Sequence, residues 1–483
     1  MARAALFRAR KKRSGLAVLA VTLTALCVAS ESNAASVANS PAPAAQQAET
    51  PGLRSPLGTQ ARTDRCRVGL VMHAGGPQFK ATAGAALAGS DADLRAAAYG
   101  LEFELGTIGD AYRRDGEAIV AENEASANQH AAWEAVLKPY SGALIPQFES
   151  DLLDYKNKRQ AMADAAVHAD LVARAGQPAV DAATVVLDRK KEAGDPAVFY
   201  FGDMVVNGRS ADDIRQFLQY GGFATTASVP ASAEFRMEVE ALKIRYAGCD
   251  SENPADPNQV LGAVVAAANT EWDAELAAQA PQRAALVAAE LQASKDLESA
   301  TNAMIEAVGQ AAIVSKLLDW QRSWPAPGDP RYPSQALRTR AANDMATAKS
   351  RVAAQVPVAQ RAADSAKAQA DNARTAQAQA AAIAAANGTP YGRGLAYAQQ
   401  SAQVAAASAA AAQASASAVQ TALNASKAAA SDAGALWSSA SAQAHATQAA
   451  FRQAAAKQAA DQAHAAAAAA ATQAAQAAAA AAR

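Results

Sequence analysis

Cys66 and His73 are the residues whose types come nearest to a catalytic pair, because an imidazole beside a thiol can take its proton and leave a thiolate nucleophile. Such a pair needs a third group to orient the imidazole, and no carboxamide or carboxylate follows at a recognisable spacing. The chemistry that suits Cys66 better is a disulfide with Cys249, with two unpaired buried thiols as the alternative. Closing so long a loop restricts the unfolded chain by on the order of 4 to 5 kcal/mol.

The remaining reactive side chains are dispersed. The histidines at 73, 130, 168, 445 and 464 never fall four residues apart, so no helix carries the paired ligands of an H-E-x-x-H site. No glycine-rich phosphate loop and no G-x-S-x-G elbow occurs. Glu102, Glu104, Glu117, Glu122 and Glu124, near His130, could supply paired acids, but a solvated helix face accounts for all five. In "DSENPADPN", Asp250, Glu252, Asn253 and Asp256 are hard oxygen donors of the kind calcium takes. They lack the glycine and final glutamate of an EF-hand loop and read as a proline-rich turn. Trp320, Trp324 and Tyr332 are the candidate binding residues, for a cell-wall or surface ligand; the competing role is a hinge that packs its own rings. Asn387-Gly388-Thr389 and Asn424-Ala425-Ser426 match the glycosylation sequon, a pattern frequent by chance. The expectation is a chain without catalytic residues, metal or cofactor.

The elements that must hold these residues are helices. Gly75-Gly76-Pro77 opens one, Gly89 closes it, and Ser90 caps the next with Asp93 three residues on. The device recurs: "ALAGSDADLRAAAYG" (86–100) can be laid over "VVNGRSADDIRQFLQYG" (205–221), matching Asp93 with Asp213, Leu94 with Ile214 and Arg95 with Arg215. That suggests a duplicated helical hairpin, against the plainer view that any two capped helices look alike. "VFYFGDMVV" (198–206) has strand propensity but is broken by Gly202 and Asp203, and is expected as core helix. In 286–320, Leu291, Leu297, Met304, Ile305, Val308, Ile313, Leu317 and Leu318 recur mostly at steps of three, four and seven, as an amphipathic helix requires.

"WPAPGDPRYP" (324–333) breaks this regime, and alanine dominates beyond it. Alanine makes helix by propensity, while its single methyl contributes only about 0.8 kcal/mol on burial. Pro357 is expected to kink or restart the helix, and Asn387-Gly388-Thr389-Pro390 to turn it back. On the second arm Leu395, Leu423, Trp437 and Phe451 fall in one heptad position, with Val419 in the partner seam and Met345, Val352 and Val356 as opposing knobs.

At the other end, Arg3, Arg8, Arg10, Lys11, Lys12 and Arg13 precede an apolar run, Leu16 to Ala29, in the manner of an export signal. Ser32-Asn33-Ala34 fits a cleavage site, which makes Ala35 the first mature residue; a retained anchor or a lipidated Cys27 are the alternatives. A formal charge of -1 announces no surface for nucleic acid, and the membrane is met only through the signal. The resulting all-α plan has a signal at 1–34, a disordered linker at 35–62 and a helical domain with two hairpin units at 63–250. Long amphipathic helices follow at 251–323, then a proline-rich hinge at 324–333 and an alanine-rich coiled-coil stalk at 334–483.

"AALAGSDADLRAAA", "VNGRSADDIRQFLQYGG" and "NGTPYGRGLAYAQQSAQVA" together resemble actinobacterial secreted proteins in which helical Ala-Leu-Phe (ALF-type) repeats precede an alanine-rich stalk and, in many members, a toxin or glycan-binding domain. The resemblance implies a secreted helical protein. Here the stalk runs to Arg483, which fits a truncated gene, a shortened paralogue or a member that needs no effector. The leading expectation is a secreted, non-enzymatic structural or spacer protein with self-association through the alanine-rich helices. The alternatives are the export and presentation region of a polymorphic toxin, or a helical surface-binding module.

Overall fold

A computed structural model describes residues 53–140, 175–386, 396–428 and 433–447, apart from 74, 104, 209 and 248. Among the described residues the architecture is all-α, with a lone antiparallel bridge between Arg54 and Ala255. None of the described helices is long and apolar enough to cross a membrane. The signal residues Ala34 and Ala35 lie outside the described residues.

The first three helices form a unit: α1 (Thr59–Met72), α2 (Pro77–Ala88) and α3 (Asp91–Phe103). Pro77 opens α2, Gly89 stops it, and Ser90 and Asp93 cap α3 reciprocally. The Asp93 amide donates to Ser90 Oγ at 3.2 Å, and the Ser90 amide donates to Asp93 Oδ2 at 3.0 Å. The expected linker therefore ends earlier than residue 62, because α1 begins at Thr59 and Arg62 is buried. A long helix, α4 (Gly106–Leu137), crosses from this unit to the far part of the molecule.

A second unit repeats the plan in α5 (Gln177–Glu192), α6 (Pro196–Gly208) and α7 (Ala211–Gln219). Arg65 to Gly89 lies on Thr184 to Gly208 without a gap, bringing Ala74-Gly75 and Pro77 onto Ala193-Gly194 and Pro196. Val68 then matches Leu187, Phe79 matches Val198 and Leu87 matches Val206, and all six are buried. The two units nevertheless have separate cores: the first joins α8 (Ala233–Ala247) and α9 (Gly262–Ala278), and the second closes on itself with Phe223 and Ala255. "VFYFGDMVV" is helical, but only Val198, Gly202, Val205 and Val206 are buried. Phe199, Tyr200 and Met204 face outward, a departure from the core helix expected there.

α10 (Ala280–Arg322) is the central element. The proline-dense turn reverses the chain, and α11 (Gln335–Ala386) returns antiparallel: Ala341 and Ala348 meet the Ile313–Leu317 end, Ala359 to Ala366 the Leu297–Ala311 middle, and Ala373 and Ala376 the Leu286–Ala293 start. α12 (Ala396–Lys427) then runs back along both. The expected separate stalk is thus, in its described part, the remainder of a three-helix bundle built on α10. Burying alanine gives each residue little energy, so the sum depends on many close contacts over a long helix.

Three details of the alanine-rich part depart from expectation. Pro357 neither divides nor restarts α11, since it sits on the exposed side, where water reaches the carbonyl left without a donor. The heptad seam does not continue along one helix: α12 ends at Lys427 and a separate helix, α13, spans 433–447. Val419 and Leu423 therefore lie on α12 and Trp437 on α13, where Trp437 packs against α10 and α11. Leu395 and Phe451 lie outside the residues whose side chains are described. The buried face of α12 is also wider than one seam, with Ser401, Ser408, Ser415 and Ala422 lying at seven-residue steps along its middle. A helix with two neighbours buries two seams, and small residues let both backbones approach.

α4 and α10 approach closely at Gly309. A Cβ at Gly309 would lie 2.3 Å from Cη2 of Trp133, which is itself buried. Replacing Trp133 with Ala should cost about 3–5 kcal/mol through lost burial and a cavity. Gly309→Val should cost about 1–3 kcal/mol through overpacking. Urea denaturation followed by circular dichroism checks both, and a change below about 1 kcal/mol for Trp133→Ala would contradict this packing.

Candidate functional site

The chemistry-bearing side chains of the sequence are gathered into internal ion pairs. The first turn of α7 carries Asp212 and Asp213, and the polar turn after α8 places Asp250, Glu252 and Asn253 opposite them. Asp213 is buried and accepts from Arg54 Nη2 at 2.7 Å and from Arg245 Nη1 at 2.7 Å. Burial pushes its carboxyl up, and the two guanidinium groups more than offset this, holding it below the ordinary aspartate range. Arg245 continues to Asp250, with Nε at 2.9 Å, while Arg54 reaches Glu252 at 3.1 Å. Residue 54, expected in a disordered linker, thus clips the start of the described chain onto the second unit.

Asn253 is fully buried and closes this cluster. Its amide donates to the carbonyls of Ser55 at 2.7 Å and Leu57 at 2.9 Å, and its Oδ1 accepts from Arg62 at 2.9 Å. Arg62 also lies 3.7 Å from the Tyr246 ring centroid. Asp256 braces the turn that leads into α9, accepting from the amides of Val260 at 2.9 Å and Leu261 at 2.7 Å. The oxygen donors of "DSENPADPN" are therefore committed to arginines and backbone amides. Among the described residues no group of three His, Cys, Asp or Glu side chains is placed to hold a metal ion.

The duplicated positions have different uses. Asp93 caps its own helix, whereas Asp213 binds two arginines. Arg95 reaches Asp64 at 3.2 Å, whereas Arg215 pairs with Asp212 at 2.9 Å and Glu238 at 2.8 Å. The repeat keeps the helix boundaries and the buried apolar positions, and the polar positions have been reassigned.

Cys66 and His73 do not meet as nucleophile and base. Cys66 stands at disulfide distance from Cys249, with Cα atoms 5.5 Å apart, which ties α1 to the turn two residues beyond α8. His73 is buried with its Nδ1 2.9 Å from Glu290 of α10, and Lys80 of α2 donates to the same carboxylate at 2.7 Å. Burial alone would raise the Glu290 carboxyl, but His73 and Lys80 hold it far below the ordinary range. This three-residue contact seats the first unit on α10, and sequence reading missed it because Glu290 lies more than two hundred residues away. Lys80 on an otherwise apolar turn of α2 was the available signal.

Trp320, Trp324 and Tyr332 are brought together, and Tyr140 joins them. The ring centroids are 4.8 Å apart for Tyr140–Trp320, 5.0 Å for Trp320–Trp324 and 5.9 Å for Trp324–Tyr332, the last two edge to face. Arg338 covers Tyr332 at 4.9 Å. Edge-to-face stacking of half-buried rings fills the turn between α10 and α11 and leaves no flat aromatic platform among them. Of the expected carboxylate cluster, Glu117 and Glu124 are exposed on α4.

Residues 65–96, which span most of α1, all of α2 and the first half of α3, match ALF, a family of short repeats of unknown function. No curated protein and no solved structure matches the chain.

Glu290→Gln should destabilise the protein by about 3–5 kcal/mol, because it leaves Lys80 buried without its counter-charge. The folded Glu290 carboxyl titrates below its ordinary value of 4.5, so its contribution is present above that pH and is lost as pH falls through the folded value. Asp213 is lowered in the same sense, and Glu271, beside Arg236 and Lys243, is lowered to about 2. Melting temperature measured from pH 7 to pH 2 should drop below about pH 4.5, and the drop should be smaller in Glu290→Gln. Equal acid sensitivity in the two proteins would contradict the role given to this carboxylate.

Proposed function

We propose that the chain is a secreted, non-enzymatic structural protein, in which the alanine-rich helices act as a brace that holds helical repeat units in place. The observation that carries this reading is the packing of α11 and α12 along α10, which turns the low-complexity region into one wall of a core. The commitment of Asp213, Arg245, Glu290, Lys80 and Cys66 to internal pairs supports it further. Export rests on the basic and apolar start of the chain and on a cysteine pair suited to an oxidising compartment.

The surface-binding alternative places recognition at Trp320, Trp324 and Tyr332, and the two roles separate experimentally. In the structural reading Trp324→Ala loosens the turn between α10 and α11, lowering the melting temperature by several degrees and leaving retention of the purified chain on isolated cell wall as it is for the unchanged protein. Retention lost with an unchanged melting temperature would overturn the structural reading in favour of a binding module.

A further inference from the structure

The two repeat units share a register, yet they differ in what covers their middle helix. In the first unit α2 lies against α4 and α10: Asp115 of α4 accepts from the amides of Gln78 at 3.0 Å and Phe79 at 2.8 Å, and Lys80 reaches Glu290 at 2.7 Å. One turn on, a Cβ at Gly84 would lie 2.9 Å from Cγ1 of Val287, so the helices touch there. The register places Phe199 where Lys80 stands and Asp203 where Gly84 stands. In the second unit no described helix takes the place of α10. The amides of Ala197 and Val198 donate to Asp195, just ahead of their own helix, and Phe199, Tyr200 and Met204 remain 61%, 71% and 62% exposed. Phe199 stands at a position that meets α10 in the sister unit, and Tyr200 and Met204, whose counterparts Ala81 and Ala85 are small and exposed there, widen it into an apolar face that marks an interaction surface.

We propose that this face of α6 is where two copies of the chain meet, α6 against α6 about a two-fold axis. The patch is self-complementary. Antiparallel apposition centred between Phe201 and Gly202 sets Phe199 beside Met204 of the second copy, a ring-to-sulfur contact, and Tyr200 beside Asp203, whose carboxylate can accept the phenol hydrogen. The rim carries both signs, since Lys191 of α5 pairs with Asp203 at 2.5 Å within one copy and can exchange to the other. Leu187, packed under Gly202, backs the centre of the patch from within. The surface is small beside the roughly 1,000 Å² of a durable interface, so the association is reversible. It adds a site of self-association to the structural role proposed above and rests on that role only for its purpose.

Sedimentation velocity on the full chain tests this. The weight-average mass should rise from one copy towards two with concentration, and Phe199→Ser combined with Met204→Ser should weaken the association at least tenfold. Tyr200→Arg, at the most exposed of the three sites, should do the same with unchanged circular dichroism and melting temperature, which separates loss of contact from loss of fold. A chain that stays a single copy at every concentration, or variants that associate as the unchanged protein does, would overturn the proposal. Either result would leave the structural reading to stand or fall on the Trp324→Ala comparison.

Discussion

An alanine side chain brings one methyl to a core, so a helix faced with alanine holds to another only where the backbones come close along a long line. Most of the architecture follows from that constraint. α10 supplies the bulk, with Leu297, Met304, Val308, Ile313 and Leu317 buried, and α11 and α12 supply smooth faces that lie against it. Bulk on one helix and smallness on two others lets three long helices share a core that none could form alone. Ser401, Ser408 and Ser415 belong to the same solution, since a buried serine is nearly as small as alanine and can return its hydroxyl to its own helix, as Ser415 does to the carbonyl of Ala411 at 3.0 Å.

The repeat units attach to this bundle by a different kind of force. Apolar contacts alone would let α2 slide on α10; the buried Glu290 with Lys80 and His73 fixes one position, because any shift strands a charge away from water. Around the second unit the same restriction comes from Asp213 between Arg54 and Arg245, and from Glu238 holding Arg215 and Gln216. The Cys66–Cys249 pair adds a covalent tie between α1 and the turn beyond α8. Helical shape thus comes from propensity and position from charge, a division that suits a protein with few aromatic residues.

Much of this is legible in the sequence where the signal is local. Capping at Ser90 and Asp93, the helical period of α10, the cysteine pairing and the duplicated helix boundaries all depend on residues near one another, or on the shortage of alternatives; that α10 is buried all round from Ala303 to Ser315, rather than on one face, is not legible in this way. What escaped local reading depends on distant partners. Arg54 and Arg62 look like charges in a linker until Asp213 and Asn253, well over a hundred residues on, are brought to them. Pro357 looks like a breaker until its side of the helix proves to face water. The continuous heptad from Leu395 to Phe451 misleads because alanine fills any seam, so the break between α12 and α13 leaves no trace in the apolar pattern. Phe199, Tyr200 and Met204 look like core because propensity counts their bulk and is blind to which face of α6 packs; among the described residues no helix covers these three.

The claim on which the account turns is that the alanine-rich helices are part of the same cooperative structure as α10. Native-state amide hydrogen exchange on the full chain measures this directly. The account predicts that amides in the middle of α11 and α12, around Ala363 and Ala412, exchange only through the opening that also frees the Met304–Ile313 stretch of α10, with one shared free energy. Exchange of α11 and α12 a hundredfold or more faster, while α10 stays protected, would show that α10 holds its core without them and would contradict the account.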